Sequence, residues 1–160
     1  MVAIIDYGVG NLNSIKNMLK KIGVDSVITS VSAEIECADK LILPGVGSFE
    51  YGMKKLRDSA FFDILQQKVL QNKTPILGVC LGAQLLLKGS EEGQPVPGLG
   101  WIEGKALRFD QDKMADNYKV PHMGWNELQV KKESRLFTDM YNNQRYYFVH
   151  AYHMACYHEA

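Results

Sequence analysis

The stretch Thr74-Pro75-Ile76-Leu77-Gly78-Val79-Cys80-Leu81-Gly82-Ala83-Gln84 decides the fold. A short apolar run ends in Gly-x-Cys-x-Gly, and a helical pattern over residues 82–88 begins almost at once. Strand, sharp turn and helix in that order make the thiol form of a nucleophile elbow. Such a turn is often strained, and small neighbours let strand and helix pack closely; Gly78 and Gly82 supply that room. A helix that starts behind a cysteine has two chemical effects. Its dipole favours the thiolate over the thiol. Its unpaired N–H groups, beginning with that of Leu81, can hold an oxyanion. The same pattern also fits a buried cysteine between two packing glycines, so the turn alone leaves both readings open.

Upstream, strand and helix signals alternate. Residues 2–7 form an apolar run that ends in Asp6-Tyr7-Gly8. Leu12, Ile15, Met18, Leu19 and Ile22 recur at helical spacing, with Gly23 as the stop. Residues 26–30 and 40–43 read as strands, residues 48–56 and 60–70 as helices, and residues 75–79 as a fourth strand. Strands separated by helices of this length predict a parallel sheet covered on both faces, an α/β fold. Pro44-Gly45-Val46-Gly47-Ser48 follows the third strand, which places it on the same carboxyl edge as Cys80, where open α/β sheets bind ligands. A Gly-x-Gly loop bares backbone N–H groups and suits the oxyanion of an acyl intermediate; a simple tight turn is the plainer reading.

The second half changes character. Residues 100–109, 127–130 and 145–156 are rich in aromatic and β-branched residues and read as antiparallel or mixed strands added to the sheet. Residues 93–100, with two prolines and three glycines, read as a loop. With 160 residues and no linker or repeat, one domain is the economical expectation. Eighteen basic and 18 acidic residues cancel, which argues against a general nucleic-acid binder. No apolar run approaches the length of a membrane span. Cys37, Cys80 and Cys156, an odd number at wide spacing, fit reduced thiols of a cytoplasmic protein. No metal-ligand cluster, Walker loop or dinucleotide fingerprint occurs, so neither a metal nor a cofactor is expected.

Pro44-Gly45-Val46-Gly47 and Gly78-Val79-Cys80-Leu81-Gly82-Ala83-Gln84 together resemble the class I, triad-type glutamine amidotransferases. Four further segments narrow the resemblance: Ile4-Ile5-Asp6-Tyr7-Gly8-Val9-Gly10-Asn11, Gly98-Leu99-Gly100, Val120-Pro121-His122-Met123-Gly124-Trp125-Asn126, and Tyr147-Phe148-Val149-His150. In that order they are similar to the branch of the family that serves as glutaminase subunit of imidazole glycerol phosphate synthase, in histidine biosynthesis. The resemblance covers residues 2–156. It implies that Cys80 attacks the side-chain amide of glutamine and forms a γ-glutamyl thioester, which water then hydrolyses. It implies that the backbone at Gly45, Val46, Gly47 and Leu81 stabilises the oxyanion, and that Gly47, Gln84, Glu92, Ala151 and Tyr152 line the glutamine site. Ammonia would pass to a (β/α)8-barrel cyclase subunit in a heterodimer, with Asn11, Met123, Trp125 and Tyr147 facing that partner. Met123 and Trp125 are large apolar groups in a polar-flanked segment, as interface anchors are, although core packing would also account for them.

The chain departs from the family in one respect. The family's base is a histidine in a carboxyl-terminal His-Pro-Glu segment, and no His-Pro-Glu occurs here. His122 and His150 match other motifs, His153 follows Tyr152, and the adjacent His158-Glu159 read as a solvated terminus. Ala151 stands where the family more often has serine. The expectation is a domain lacking its carboxyl-terminal portion, as a fragment, a shortened gene product or a subunit whose base comes from a partner. Such a chain would have little glutaminase activity by itself. Two other functions fit the same motifs: supply of ammonia to a sugar amidotransferase of surface-polysaccharide synthesis, and a non-catalytic module that binds the partner.

Overall fold

The computed structural model describes residues 1–113, 119–138 and 144–157. It divides into two compact units, one comprising Met1–Leu107 with the residues from Met154 onward, the other Arg108–His153. The first unit alternates β1 (Val2–Ile5), α1 (Leu12–Lys21), β2 (Ser26–Thr29), α2 (Ser32–Cys37) and β3 (Lys40–Leu43). It continues through α3 (Phe49–Arg57), α4 (Phe62–Leu70), β4 (Ile76–Gly78), α5 (Leu81–Leu85), β5 (Leu87–Ser90) and β6 (Ile102–Arg108). Four strands form a parallel sheet in the order β2-β1-β3-β4, with Ile4 opposite both Ile28 and Ile42, and Leu43 opposite Gly78. The mixed α/β class expected from the sequence is what the chain adopts.

The main buried cluster lies on one face of this sheet, while Ile4 and Ile42 are buried on the other. Ala3, Ile5, Leu41 and Leu43 alternate along their strands and point to the main cluster. They meet Phe49, Met53 and Leu56 of α3, Leu65 of α4, and Leu81 and Leu85 of α5. Phe49, Gly52, Met53 and Leu56 recur at i, i+3, i+4 and i+7, so one stripe of α3 is wholly buried. In contrast, α1 buries no residue fully. Its start is capped by Asn11, whose side chain accepts from Ser14 N–H at 3.3 Å, and Lys20 and Lys21 in its last turn complement the dipole.

Three elements differ from the sequence reading. The helix expected over 82–88 stops at Leu85, and Leu87–Ser90 is a strand. The cause is tertiary. The returning segment offers backbone N–H groups to the carbonyls a longer helix would use: Leu99 to Leu85, Trp101 and Ile102 to Leu86, Gly100 to Leu87 and Gly98 to Lys88, at 2.9–3.0 Å. Leu87 then pairs in parallel with Ile102, so β5 and β6 start a separate sheet, completed by a strand over Tyr152–Cys156. Second, the strand expected over 127–130 is instead β7 (His122–Glu127), paired antiparallel with β8 (Arg145–His150). The ladder ends at the pair Glu127 and Arg145 because β8 begins there. Third, the strand expected over 145–156 breaks at Ala151 into β8 and β9 (Tyr152–Cys156), which belong to different sheets. The later strands therefore build sheets of their own instead of extending the parallel one. The short α2 had no sequence signal of its own, since Ile35 is its only buried residue. No helix among the described residues is long and apolar enough to cross a membrane.

The division between buried and open faces is testable by urea denaturation of single variants. Leu43→Ala, fully buried in the core, is expected to lower stability by about 2–5 kcal/mol. Met18→Ala, on the open side of α1 and 59% exposed, is expected to change it by less than about 0.5 kcal/mol.

Candidate active site

Cys80 sits between the end of β4 and the first residue of α5 with φ 55° and ψ −118°. Lys73 and Cys80 are the described non-glycine residues with positive φ. A side chain at such a backbone position costs about 1–3 kcal/mol and persists only where surrounding packing dictates it. That packing is explicit. A Cβ on Gly82 would lie 1.9 Å from the Leu43 carbonyl oxygen, and one on Gly78 would lie 2.4 Å from Ala83 Cα. A Cβ on Gly45 would lie 2.6 Å from the Gly82 nitrogen. The ends of β3 and β4 and the start of α5 thus touch backbone to backbone, and Val79 N–H donates to Leu43 O at 2.9 Å. The chain can turn from β4 into α5 in that space only through the positive-φ residue, which leaves the Cys80 thiol exposed.

Around the thiol, Gly82 N–H donates to Val79 O at 3.0 Å, and Ala83 and Gln84 N–H both donate to Cys80 O, at 3.0 and 3.4 Å. Leu81 N–H, the first of α5, lies outside this set. The Gly45–Gly47 loop runs beside it, with Gly45 and Pro44 buried, Val46 exposed, and Gly47 at φ 92° with open space where a Cβ would stand. Gln84 is half-buried on α5.

The loop is held at both ends. Tyr7, at the exit of β1, donates its hydroxyl to Pro44 O at 2.6 Å. Burial keeps the Tyr7 hydroxyl well above the usual phenol range, and the charge of Cys80 pushes in the same direction, so Tyr7 remains a neutral donor. At the other end, Glu92 Oε2 accepts from Phe49 N–H at 2.8 Å, capping α3 in place of Ser48, whose own side chain makes no cap bond. Sequence reasoning placed Glu92 toward glutamine and gave Tyr7 no role. The signal for Tyr7 is that β1 and β3 are neighbours, so their exit turns must meet.

The other predicted residues are distributed as follows. Asn11 is exposed and caps α1. Met123, Trp125 and Tyr147 are 61%, 59% and 54% exposed, which is no core position. They share one face of the β7–β8 ribbon, with Trp125 and Tyr147 cross-strand partners at a ring separation of 5.5 Å. Ala151 and Tyr152 lie in the second unit, where β8 passes into β9; Ala151 O accepts from Phe109 N–H at 3.2 Å. The described residues of the first unit include no histidine. His158 and Glu159 lie outside the described residues. Among the described residues, no group of three His, Cys, Asp or Glu side chains could hold a metal ion.

Residues 3–158 match the family described as glutamine amidotransferase class-I. The chain is 50% identical over 156 residues to imidazole glycerol phosphate synthase subunit HisH 2 of Methanococcus maripaludis, covering 98% of this chain and 75% of that one. It is 46% identical to subunit HisH 1 of Campylobacter jejuni, covering 98% and 76%. It is also 46% identical to subunit HisH 2 of Pseudomonas aeruginosa, covering 96% and 74%. A crystal structure of a glutamine amidotransferase superposes with a TM-score of 0.57 at 26% identity, covering 68% of this chain and 57% of the other.

The strain at Cys80 has a direct test. Cys80→Gly and Cys80→Ala both remove the thiol, but only glycine adopts φ 55° without cost. Cys80→Gly is expected to be the more stable of the two by about 1 kcal/mol in urea denaturation, the reverse of the order at an unstrained site. Equal stabilities would contradict a strained elbow.

Proposed function

The chain belongs to the class-I glutamine amidotransferase family, and from that premise we propose that it is a glutaminase subunit that supplies ammonia to a cyclase making imidazole glycerol phosphate. The observation that carries the reading is the strained Cys80, presented beside the Gly45–Gly47 loop on the carboxyl edge of the sheet. Cys80 Sγ attacks the side-chain amide carbon of glutamine. The carbonyl electrons move onto oxygen, where N–H groups of Leu81 and the Gly45–Gly47 loop oppose the charge. When the carbonyl re-forms, the C–N bond breaks and ammonia leaves with a proton from the medium or a base. Water then cleaves the γ-glutamyl thioester, giving glutamate and the free thiol.

The family resemblance assigns glutamine binding to Gly47, Gln84, Glu92, Ala151 and Tyr152, the last two through backbone groups, which makes alanine at 151 tolerable. Glu92 also acts from behind, through Phe49, on the loop that carries Gly47. The exposed Met123, Trp125 and Tyr147 face would receive a (β/α)8-barrel cyclase as heterodimer partner, and the family resemblance assigns Asn11 to the same partner. Large apolar and aromatic anchors within a polar strand pair are what such an interface requires.

The experiment is alkylation by a glutamine-like diazo ketone, followed by peptide mapping. Cys37, Cys80 and Cys156 are all exposed, so access alone gives no preference. Labelling is expected at Cys80, with protection by glutamine; equal labelling of the three thiols would remove the reading. In a companion assay, the 160-residue chain, which contains no His-Pro-Glu, is expected to release glutamate at a rate far below that of a relative containing that segment. Turnover at the relative's rate would show that another group acts as base.

A further inference from the structure

The second unit contains a chain of hydrogen bonds that the chemistry above does not use. The Asn126 side-chain amide meets His122 Nε2, His122 Nδ1 lies 2.9 Å from His150 Nε2, and His150 Nδ1 lies 2.8 Å from Tyr152 O. A carbonyl oxygen only accepts. His150 therefore carries its proton on Nδ1 and, when neutral, accepts at Nε2. His122 must then donate from Nδ1 and accept at Nε2, so Asn126 must present its NH2 group. The carbonyl at one end thus fixes the tautomer of every member.

The rings are clamped as well as bonded. His122 and His150 are directly opposed across the β7–β8 ladder and both are half-buried. Phe148 stacks on His122 at 4.9 Å and 25°, and Phe109 meets His150 edge-on at 5.1 Å and 71°. The same Phe109 donates its N–H to Ala151 O at 3.2 Å. Two successive peptide planes are therefore oriented, that of Ala151 O by Phe109 and that of Tyr152 O by His150. In a planar trans peptide, fixing the carbonyl fixes the N–H that opposes it. The N–H directions of Tyr152 and His153 follow from these two bonds.

We propose that His122 and His150 are positioning residues for glutamine, which hold the backbone at Ala151 and Tyr152 in its binding orientation through a one-directional hydrogen-bond chain from Asn126 to Tyr152 O. The inference rests on the reading of Ala151 and Tyr152 as glutamine-binding residues. It requires neither histidine to touch glutamine or the thiol.

Two measurements on the 160-residue protein test it separately. Two-bond proton–nitrogen spectra, at a pH where both imidazoles are neutral, are expected to show His122 and His150 as Nδ1–H tautomers. An Nε2–H tautomer at either ring overturns the chain, and this needs no variant. The second measurement is the concentration dependence of Cys80 alkylation by the glutamine-like diazo ketone, which separates half-saturation from limiting rate. His150→Ala is expected to raise half-saturation about tenfold, as loss of one orienting hydrogen bond does, with the limiting rate within about twofold. His150→Asn keeps a donor where Nδ1 stood and is expected to return half-saturation to within about threefold of the original. An unchanged half-saturation in His150→Ala, or a fall in both parameters that asparagine does not rescue, overturns the positioning role. Non-saturable labelling of the unaltered protein overturns the glutaminase reading and the substrate role with it, while Nδ1–H tautomers would still support the chain of bonds.

Discussion

The Leu43 carbonyl oxygen and the backbone of Gly82 are closer than any side chain at 82 would allow, since a Cβ there would lie 1.9 Å from that oxygen. The same oxygen accepts from Val79 N–H, so one carbonyl joins β3 to β4 and also sets how near α5 comes. Gly78 beneath Ala83 and Gly45 against Gly82 N complete a contact of backbone with backbone. Once α5 is pressed into the end of β3, little room remains for the turn out of β4, and Cys80 absorbs the misfit as a positive φ. A strain of about 1–3 kcal/mol is a large share of the 5–15 kcal/mol that usually separates folded from unfolded chains. The core of Ala3, Ile5, Leu41, Leu43, Met53 and Leu85 is what offsets it.

A second consequence follows from α5 being so short. Leu85, Leu86 and Leu87 have good helix propensity, yet their carbonyls are taken by N–H groups of residues 99–102. Gly98 makes the return possible, because a Cβ on it would meet Leu87 O at 2.1 Å. Redirected into β5, the chain reaches Ser90 and then Glu92, whose backbone N–H donates to Ser90 Oγ while its carboxylate caps α3. The elbow, β5 and the start of α3 therefore close a circuit around the Gly45–Gly47 loop. Tyr7 closes it from the other side through Pro44.

How much of this the sequence disclosed depends on whether the cause was local. The alternation of strands and helices, the glycines flanking Cys80 and the shared carboxyl edge were legible, because apolar period and turn chemistry set them. The end of α5 was not, since the competing donors come from residues 98–102. The division of residues 145–156 into β8 and β9 was equally hidden, because the break at Ala151 follows from two different partner strands and no turn residue marks it. Met123 and Trp125 stood out as large apolar groups in a polar-flanked segment, but the period of two that puts them on one exposed face with Tyr147 emerges only from the β7–β8 register. Tyr7 looked like part of an exit turn; its hydrogen bond spans 37 positions in sequence.

The histidines show how bonding constrains chemistry independently of distance. A base for Cys80 needs a ring nitrogen able to accept a proton. His150 directs Nδ1 at Tyr152 O and Nε2 at His122, and His122 spends its two nitrogens on His150 and Asn126. Each ring has its accepting nitrogen already engaged, so a proton on His122 Nε2 would displace the Asn126 amide and one on His150 Nε2 would displace His122, while Nδ1–H of His150 would keep its bond to Tyr152 O.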